Sequence, residues 1–283
     1  MCYYYRMILL TFNLHTHTTR CGHAIGTDEE YVLEAIKGSY HLLGFSDHIM
    51  LPGIVHEKMR ASFSEIDEYI SSINCLKEKY KGVIDIKLGF EAEYLPQFVE
   101  YYKTLYREKG LDYLILGQHL QYDENGLPLY YWREKTDDME KILKYKNDLI
   151  EGMKSGLFLY VAHPDIFMHN VTVISDEIIG ICREICNASV KYDIPLEINL
   201  GGLGYSNLKA QIYGTNPYPN HYFWEIANEI GCKCVVGVDA HNPGKLTSYK
   251  CEFVISFMER FNLKPLTLDE INVYINNNKL RNN

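Results

Sequence analysis

The sequence predicts a single barrel-like α/β domain, and three observations carry that expectation. Short apolar runs of strand character alternate with amphipathic helical stretches along nearly the whole chain, giving about seven βα units. The connections that follow strands are long (roughly 49–62, 120–136, 164–174 and 201–218), while helix-to-strand connections such as Lys81-Gly82 and Ser155-Gly156 are short. Histidines and carboxylates gather at the C-terminal ends of the apolar runs, the face on which α/β barrels carry their active sites.

The elements follow in order. Ile8–Leu14 is apolar and reads as the first strand. Thr27 with Glu30 three residues on is a capping-box signature that opens the first helix, and His41 falls in a helical run. Phe45-Ser46 is a short strand before His48, and a serine at 62 or 64 starts an amphipathic helix reaching about Lys81. Val83–Phe90 and Tyr113–Leu116 are strands separated by a helix near Pro96–Arg107. A long helix from about Asp137 to Lys154 leads to a strand at Phe158–Ala162, and a helix over about 175–192 leads to Leu196–Leu200. A helix near Pro219–Ile230, a strand at Cys234–Val238 and closing helical segments complete the chain. No linker or repeat interrupts this order, so residues 1–283 are expected to form one domain, with a core over about 8–260 and a helical tail over about 261–283.

With 47% hydrophobic and 23% charged residues, the composition supports a large core. A net charge of −9 argues against general nucleic-acid binding, which needs a basic footprint, but leaves a small anion possible where bound cations reverse the field. The eight cysteines include no Cys-x-x-Cys pair. They read as reduced thiols of a cytoplasmic protein, and the pairs Cys182/Cys186 and Cys232/Cys234 are better read as core than as metal ligands. Apolar runs fall short of the ~18 residues of a membrane span, and Met7–Leu10 is too short for a secretory signal.

Two dyads frame the chemistry: Asn13-Leu-His15-Thr-His17 near the start and Val238-Asp239-Ala-His241 near the end. Residues i and i+2 of an extended segment point the same way, so each dyad can aim two side chains at one spot. Between them lie Gly44-Phe-Ser-Asp-His48, Leu88-Gly-Phe-Glu91, Leu116-Gly-Gln-His119 and Val161-Ala-His163, with His23 in the loop after the first dyad. A lone histidine at a strand end is usually a hydrogen-bonded structural residue. Seven of them with Glu91 and Asp239 at one end of successive strands read instead as a polynuclear site of two to three divalent ions, with Zn²⁺, Mn²⁺ or Fe²⁺ suited to imidazole and carboxylate donors.

These motifs, from Asn13-Leu-His15-Thr-His17-Thr-Thr-Arg-Cys-Gly-His23-Ala to Asp239-Ala-His241-Asn-Pro, resemble those of the PHP (polymerase and histidinol phosphatase) superfamily, in its histidinol-phosphate phosphatase branch. The resemblance implies a distorted (β/α)7 TIM-like barrel with up to three divalent metals and phosphoester hydrolysis. It makes His15, His17, His23, His48, Glu91, His119, His163, Asp239 and His241 the metal ligands, Glu91 bridging two ions. Such ions bring water toward a pKa of ~7 and outweigh the two carboxylates locally, so a small phosphorylated substrate is the expected partner. Glu93 faces the same way as Glu91 and could substitute or assist.

Arg20, Arg60 and Arg133 fall on the loop face; Arg20 and Arg133 are taken as phosphate contacts, Arg20 with a solvent-exposed role as its alternative. Asp165 is a candidate proton donor to the leaving alkoxide, with a turn cap as its alternative, while His56, His169 and His221 read as solvated residues. Competing readings are a metal-dependent amidohydrolase, a nuclease-like or nucleotide phosphoesterase, and a degenerate binding barrel. The late Asp-x-His, the extra His23 and His48, the acidic charge and the full ligand set weigh against them in turn.

Overall fold

The computed structural model describes residues 10–54, 56–122, 128–130, 138–169, 171–204, 217–249 and 251–283. Strands β1 (Phe12–Asn13), β2 (Leu42–His48), β3 (Asp85–Ala92) and β4 (Tyr113–Leu116) pair in parallel in that order. The register sets His48 beside Glu91, so neighbouring strands end together in site residues. A short antiparallel hairpin, β5 (Leu120–Tyr122) with β6 (Pro128–Tyr130), occupies part of the long connection expected after β4. Further along, β7 (Leu196–Asn199) pairs in parallel with β8 (Cys234–Gly237).

The parallel sheet curls. Phe158–Ala162, expected as a strand, contains only a bridge residue, Val161, yet it is hydrogen-bonded on both sides. Leu116 N donates to Tyr160 O (2.9 Å), Ala162 N to Leu116 O (3.0 Å) and Glu197 N to Val161 O (2.9 Å). At the far edge His17 N donates to Ala240 O (2.9 Å) and Ala240 N to His15 O (3.1 Å), joining the two dyads backbone to backbone.

Helices α1 (Asp28–Lys37), α2 (Ile66–Lys79), α3 (Val99–Lys109), α4 (Met139–Ser155), α5 (Asp176–Tyr192) and α6 (His221–Ile230) lie between the strands in sequence. The expected capping box forms at α1, where Glu30 N donates to Thr27 Oγ1 (3.3 Å) and Thr27 N to Glu30 Oε2 (2.6 Å). Helix α1 stops at Lys37 because Gly38 and Ser39 (φ 62°) turn the chain. His41 is therefore not helical as expected. It sits exposed just ahead of β2, and its N–H donates to Thr11 O (2.7 Å).

The last helices are α7 (Lys245–Ser248), α8 (Cys251–Arg260) and α9 (Leu268–Asn282). The segment expected as a tail packs inward: Ile271 and Ile275 join an inner cluster with Phe12, Leu42, Tyr113, Leu159 and Val235. Asn278 ties it further, accepting from Tyr106 Oη (2.8 Å) and donating to Leu157 O (3.3 Å). Most of these partners lie at the N-terminal starts of the strands, so α9 closes the end opposite the loops.

Inside the curl, the Tyr113 hydroxyl lies 2.8 Å from Leu14 O and 3.0 Å from Phe45 O, bridging β4 to the two strand segments that precede His15 and His48. The ring needs close backbone approach: a Cβ on Gly89 would lie 2.4 Å from Tyr113 Cζ. Ile275→Ala should lower the unfolding free energy by about 2–5 kcal/mol through lost burial and a cavity, while leaving metal content unchanged. Urea denaturation with metal analysis checks this; metal loss at unchanged stability would contradict it.

Candidate metal centre

Alternation along the segment leaving β1 places Asn13, His15 and His17 on one side. Asn13 then locks the first dyad to the second, its Oδ1 accepting from Val238 N (2.9 Å) and its Nδ2 donating to His15 O (2.9 Å). Two site residues hold left-handed backbone that side chains other than glycine rarely adopt: His163 (φ 30°) and Asp239 (φ 52°). Strain of this kind costs on the order of 1–3 kcal/mol and persists where surroundings enforce it. At His163 the enforcement is visible, since its N–H donates to Glu197 Oε2 (3.0 Å).

Four donor atoms form a close set. His15 Nε2 and His17 Nε2 are 3.1 Å apart; both lie 3.4–3.5 Å from Glu91 Oε2 and from Asp239 Oδ1. A tetrahedron with bonds of roughly 2.0–2.1 Å has edges of roughly 3.3–3.4 Å, so this set has the shape of a zinc-like cage. The other oxygen of the same carboxylate serves a second set: Glu91 Oε1 lies 2.7 Å from His163 Nε2 and 3.3 Å from His119 Nε2, with the two nitrogens 3.2 Å apart. His48 Nδ1 is 3.1 Å from Glu91 Oε2. His23 and His241 stack at 4.6 Å between ring centroids beside His17 and His48. Donor atoms of His17, His48 and His241 lie within 4.8 Å of one another, as do those of Cys21, His23 and His241.

The donor chemistry fits a divalent cation. Glu91 Oε2, Asp239 Oδ1 and His241 Nε2 are buried without a hydrogen-bond partner, a desolvation cost of roughly 1–3 kcal/mol each that a coordinated ion would remove. Burial alone would push the carboxyls of Glu91 and Asp239 up. Histidines outweigh it, His119, His15 and His48 around Glu91 and His15, His17 and His241 around Asp239, and hold both well below the usual range. Burial pulls His15 and His17 down, but Glu197, Asp239 and Glu91 hold His15 well up and Asp239 with Asp47 brings His17 to about 9. Burial and the neighbouring His17 drive His48 well down and His241 to about 3.

Two buried carboxylates escaped the sequence reading. Glu197 Oε1 lies 2.8 Å from His15 Nδ1, and its Oε2 accepts from Asn199 Nδ2 (2.7 Å) as well as from His163 N. A carboxylate on the back nitrogen of a ligating histidine fixes its tautomer and raises its basicity. Asp47 does related work: it accepts from the Thr18 hydroxyl and from His48 N (3.1 Å), and its Oδ1 lies 3.6 Å from His17 Nδ1. A carboxylate inside the apolar run Leu196-Glu-Ile-Asn-Leu200 was the signal available for Glu197.

The nine expected ligands all come together, and eight of them line a cavity of about 630 Å³, with His15 buried behind it. Gly117 makes room for Glu91, since a Cβ there would lie 2.1 Å from Glu91 Oε1. Arg20, expected at the phosphate, and Asp165, expected as the acid, do not line this cavity. The Arg20 guanidinium is spread between Asp28 (2.8 and 2.9 Å) and Glu68 (3.0 Å twice), so charge pairing at α1 and α2 holds it outside the cavity lining. Arg60 is buried, donating to Glu93 Oε1 (2.8 Å) and Ile49 O (2.9 Å). Glu93 Oε1 lies 3.6 Å from His119 Nδ1, on the back side of that ring. Asp165 is buried off the cavity, where its Oδ2 accepts from Asn220 N (2.6 Å) at the start of α6 and burial pushes its carboxyl up to about 7. That bond runs to a helix start 55 residues away. Arg133 lies outside the described residues, and His56, His169 and His221 do not line the cavity.

The PHP domain family model matches residues 13–200. The chain belongs to the PHP family. This PHP chain is 26% identical over 237 residues to a protein of Deinococcus radiodurans described as a probable histidinol-phosphatase, covering 82% of the chain and 86% of that relative. It is 25% identical over 271 residues to the histidinol-phosphatase of Bacillus subtilis, covering 87% and 97% respectively. Among solved structures, a histidinol phosphate phosphatase of Lactococcus lactis complexed with zinc, L-histidinol and phosphate superposes with a TM-score of 0.65 at 19% identity, covering 90% of this chain and 95% of that one. The α/β fold is thus the PHP fold, and its clustered imidazole and carboxylate donors could hold divalent metals.

Because carboxylates hold protons on His15 and His17, loading a metal-stripped sample must displace them. Metal affinity should therefore rise as pH rises from 6 toward 9, with about one to two protons released per ion near neutrality. Calorimetry in two buffers of different ionisation enthalpy measures both quantities. Affinity independent of pH without proton release would contradict this.

Proposed function

We propose that this PHP chain is a metal-dependent phosphomonoesterase that hydrolyses histidinol phosphate to histidinol and phosphate. The observation that carries the reading is the Glu91 carboxylate, with one oxygen facing His15, His17 and Asp239 and the other facing His119 and His163. That division suits two ions sharing one carboxylate, and His48 and His241 beside His17, with His23 stacked on His241, offer a further group, giving two to three ions of zinc, manganese or iron. When bound, such ions bring water toward a pKa of ~7 and offset the charge of a phosphate dianion. The histidinol-phosphatase relatives, one of them solved with histidinol and phosphate, support the substrate.

The chain's own residues do the rest. Glu197, Asp47 and Glu93 back His15, His17 and His119, turning the rings inward and keeping their orientation as substrate enters. Ile166, Leu200, Leu203 and Tyr218 form an apolar part of the cavity wall and exclude water around the leaving alcohol. Asp165 supports α6 rather than the leaving group. Of the expected phosphate contacts, Arg133 stays a proposal and Arg20 is committed to its two carboxylates.

We read the fold as a distorted (β/α)7 barrel formed by the whole chain. Support comes from seven laddered segments: β1 to β4, Phe158–Ala162, β7 and β8, with the β8 end bonded to the β1 end. The packing of Ile271 and Ile275 supports including α9 in that unit.

Purified protein assayed against a panel of phosphomonoesters should turn over histidinol phosphate best. A chelator should abolish the activity and added Zn²⁺ or Mn²⁺ restore it. Glu91→Gln removes the shared charge at nearly constant size and should cut kcat at least ~100-fold with reduced metal content. Full turnover by the metal-stripped enzyme, or wild-type rates from Glu91→Gln, would contradict the proposal.

A further inference from the structure

We infer that the segment following the late dyad, Asn242–Tyr249, is the cavity wall that holds the anionic end of the substrate, with Lys245 as its cation. The inference rests on the phosphatase reading of the same cavity and names a contact within it. Asn242, Lys245, Ser248 and Tyr249 all line the cavity. Their spacing of three and four residues is that of one face of a helical turn, and α7 provides the turn. The other side is anchored to the body of the protein. Leu246 is fully buried and its carbonyl accepts from Tyr40 Oη (2.8 Å), while the Thr247 hydroxyl donates to Glu34. The polar face is thus presented to the cavity by a segment fixed from behind, which begins directly after Asp239 and His241 have been brought to the cluster.

Charge singles out Lys245. It is the one lysine or arginine among the described residues lining the cavity. Arg20 and Arg60, two further cations of the loop face, are closed off by Asp28, Glu68 and Glu93. Lys245 has no ion pair among the described residues. The four side chains of this wall can all donate hydrogen bonds and include no carboxylate, so the wall suits an anion and not an ammonium group. A phosphate dianion facing metal ions still turns oxygen toward the rest of the cavity, and an ammonium on a flexible four-carbon stem can meet it there.

The test titrates metal-loaded wild type, K245Q and K245R with inorganic phosphate by calorimetry. On the same samples it measures metal content and KM and kcat for histidinol phosphate and p-nitrophenyl phosphate. K245Q should weaken phosphate binding and raise KM at least about tenfold, the loss expected for one charge-assisted hydrogen bond, with kcat within about threefold. K245R should recover most of the loss, and all three proteins should hold the same metal. The wild-type advantage should shrink as salt is raised. Unchanged phosphate affinity in K245Q overturns the assignment, and so does equal loss in K245Q and K245R, which would trace the effect to packing instead of charge. A wild type that binds phosphate through Lys245 yet hydrolyses no phosphomonoester would overturn the phosphatase reading and leave the subsite standing.

Discussion

Glu91 is buried at the mouth of a curled sheet with Asp239 and seven histidines around it, and the rest of the structure is arranged to make that tolerable. Two ionised carboxylates cannot sit in such a place unless opposite charge accompanies them. Protons on His15 and His17 supply some of it, and the divalent ions we propose on either side of the Glu91 carboxylate would supply it more completely. The same constraint explains the outer carboxylates. Glu197 and Asp47 keep the histidines turned toward the centre, and Asn13 holds the two dyads in one register although they are separated by most of the chain.

Stability and chemistry are divided between the two ends of the strands. At the N-terminal end, Ile271 and Ile275 of α9 fill the inner cluster and Asn278 closes it with hydrogen bonds. Halfway along, Tyr113 ties β4 to the carbonyls of Leu14 and Phe45, one residue before His15 and three before His48. Ligand positions are therefore set by packed core below them, and the strained backbone of His163 and Asp239 is held against that rigid base. The net charge of −9 is compatible with an anionic substrate because the field that matters is the local one at this mouth.

Most of the cluster was legible because its side chains obey strand arithmetic: His-x-His and Asp-x-His at strand ends need no tertiary information to converge. What was not legible depends on contacts across the fold. Arg20 looks like a phosphate fork in sequence, yet α1 and α2 bring Asp28 and Glu68 to it. Asp165 looks like an acid near His163, yet the start of α6 closes over it. His41 continues an apolar helical pattern, and only the Gly38-Ser39 turn moves it to the strand entrance. The C-terminal helix has weak amphipathic character, so nothing in its own pattern announces that Ile271 and Ile275 reach the interior. Glu197 and Asp47 sit in apolar strands where a carboxylate is the anomaly, and that anomaly is the signal such residues offer.

The most direct measurement of the central claim is anomalous scattering from crystals of the metal-loaded protein, collected on both sides of the metal absorption edge. The account predicts at least two ions flanking Glu91, one held with His15, His17 and Asp239 and the other with His119 and His163, at bonds of roughly 2.0–2.3 Å. A single ion away from Glu91, or His15 and His241 in unconnected sites, would contradict it.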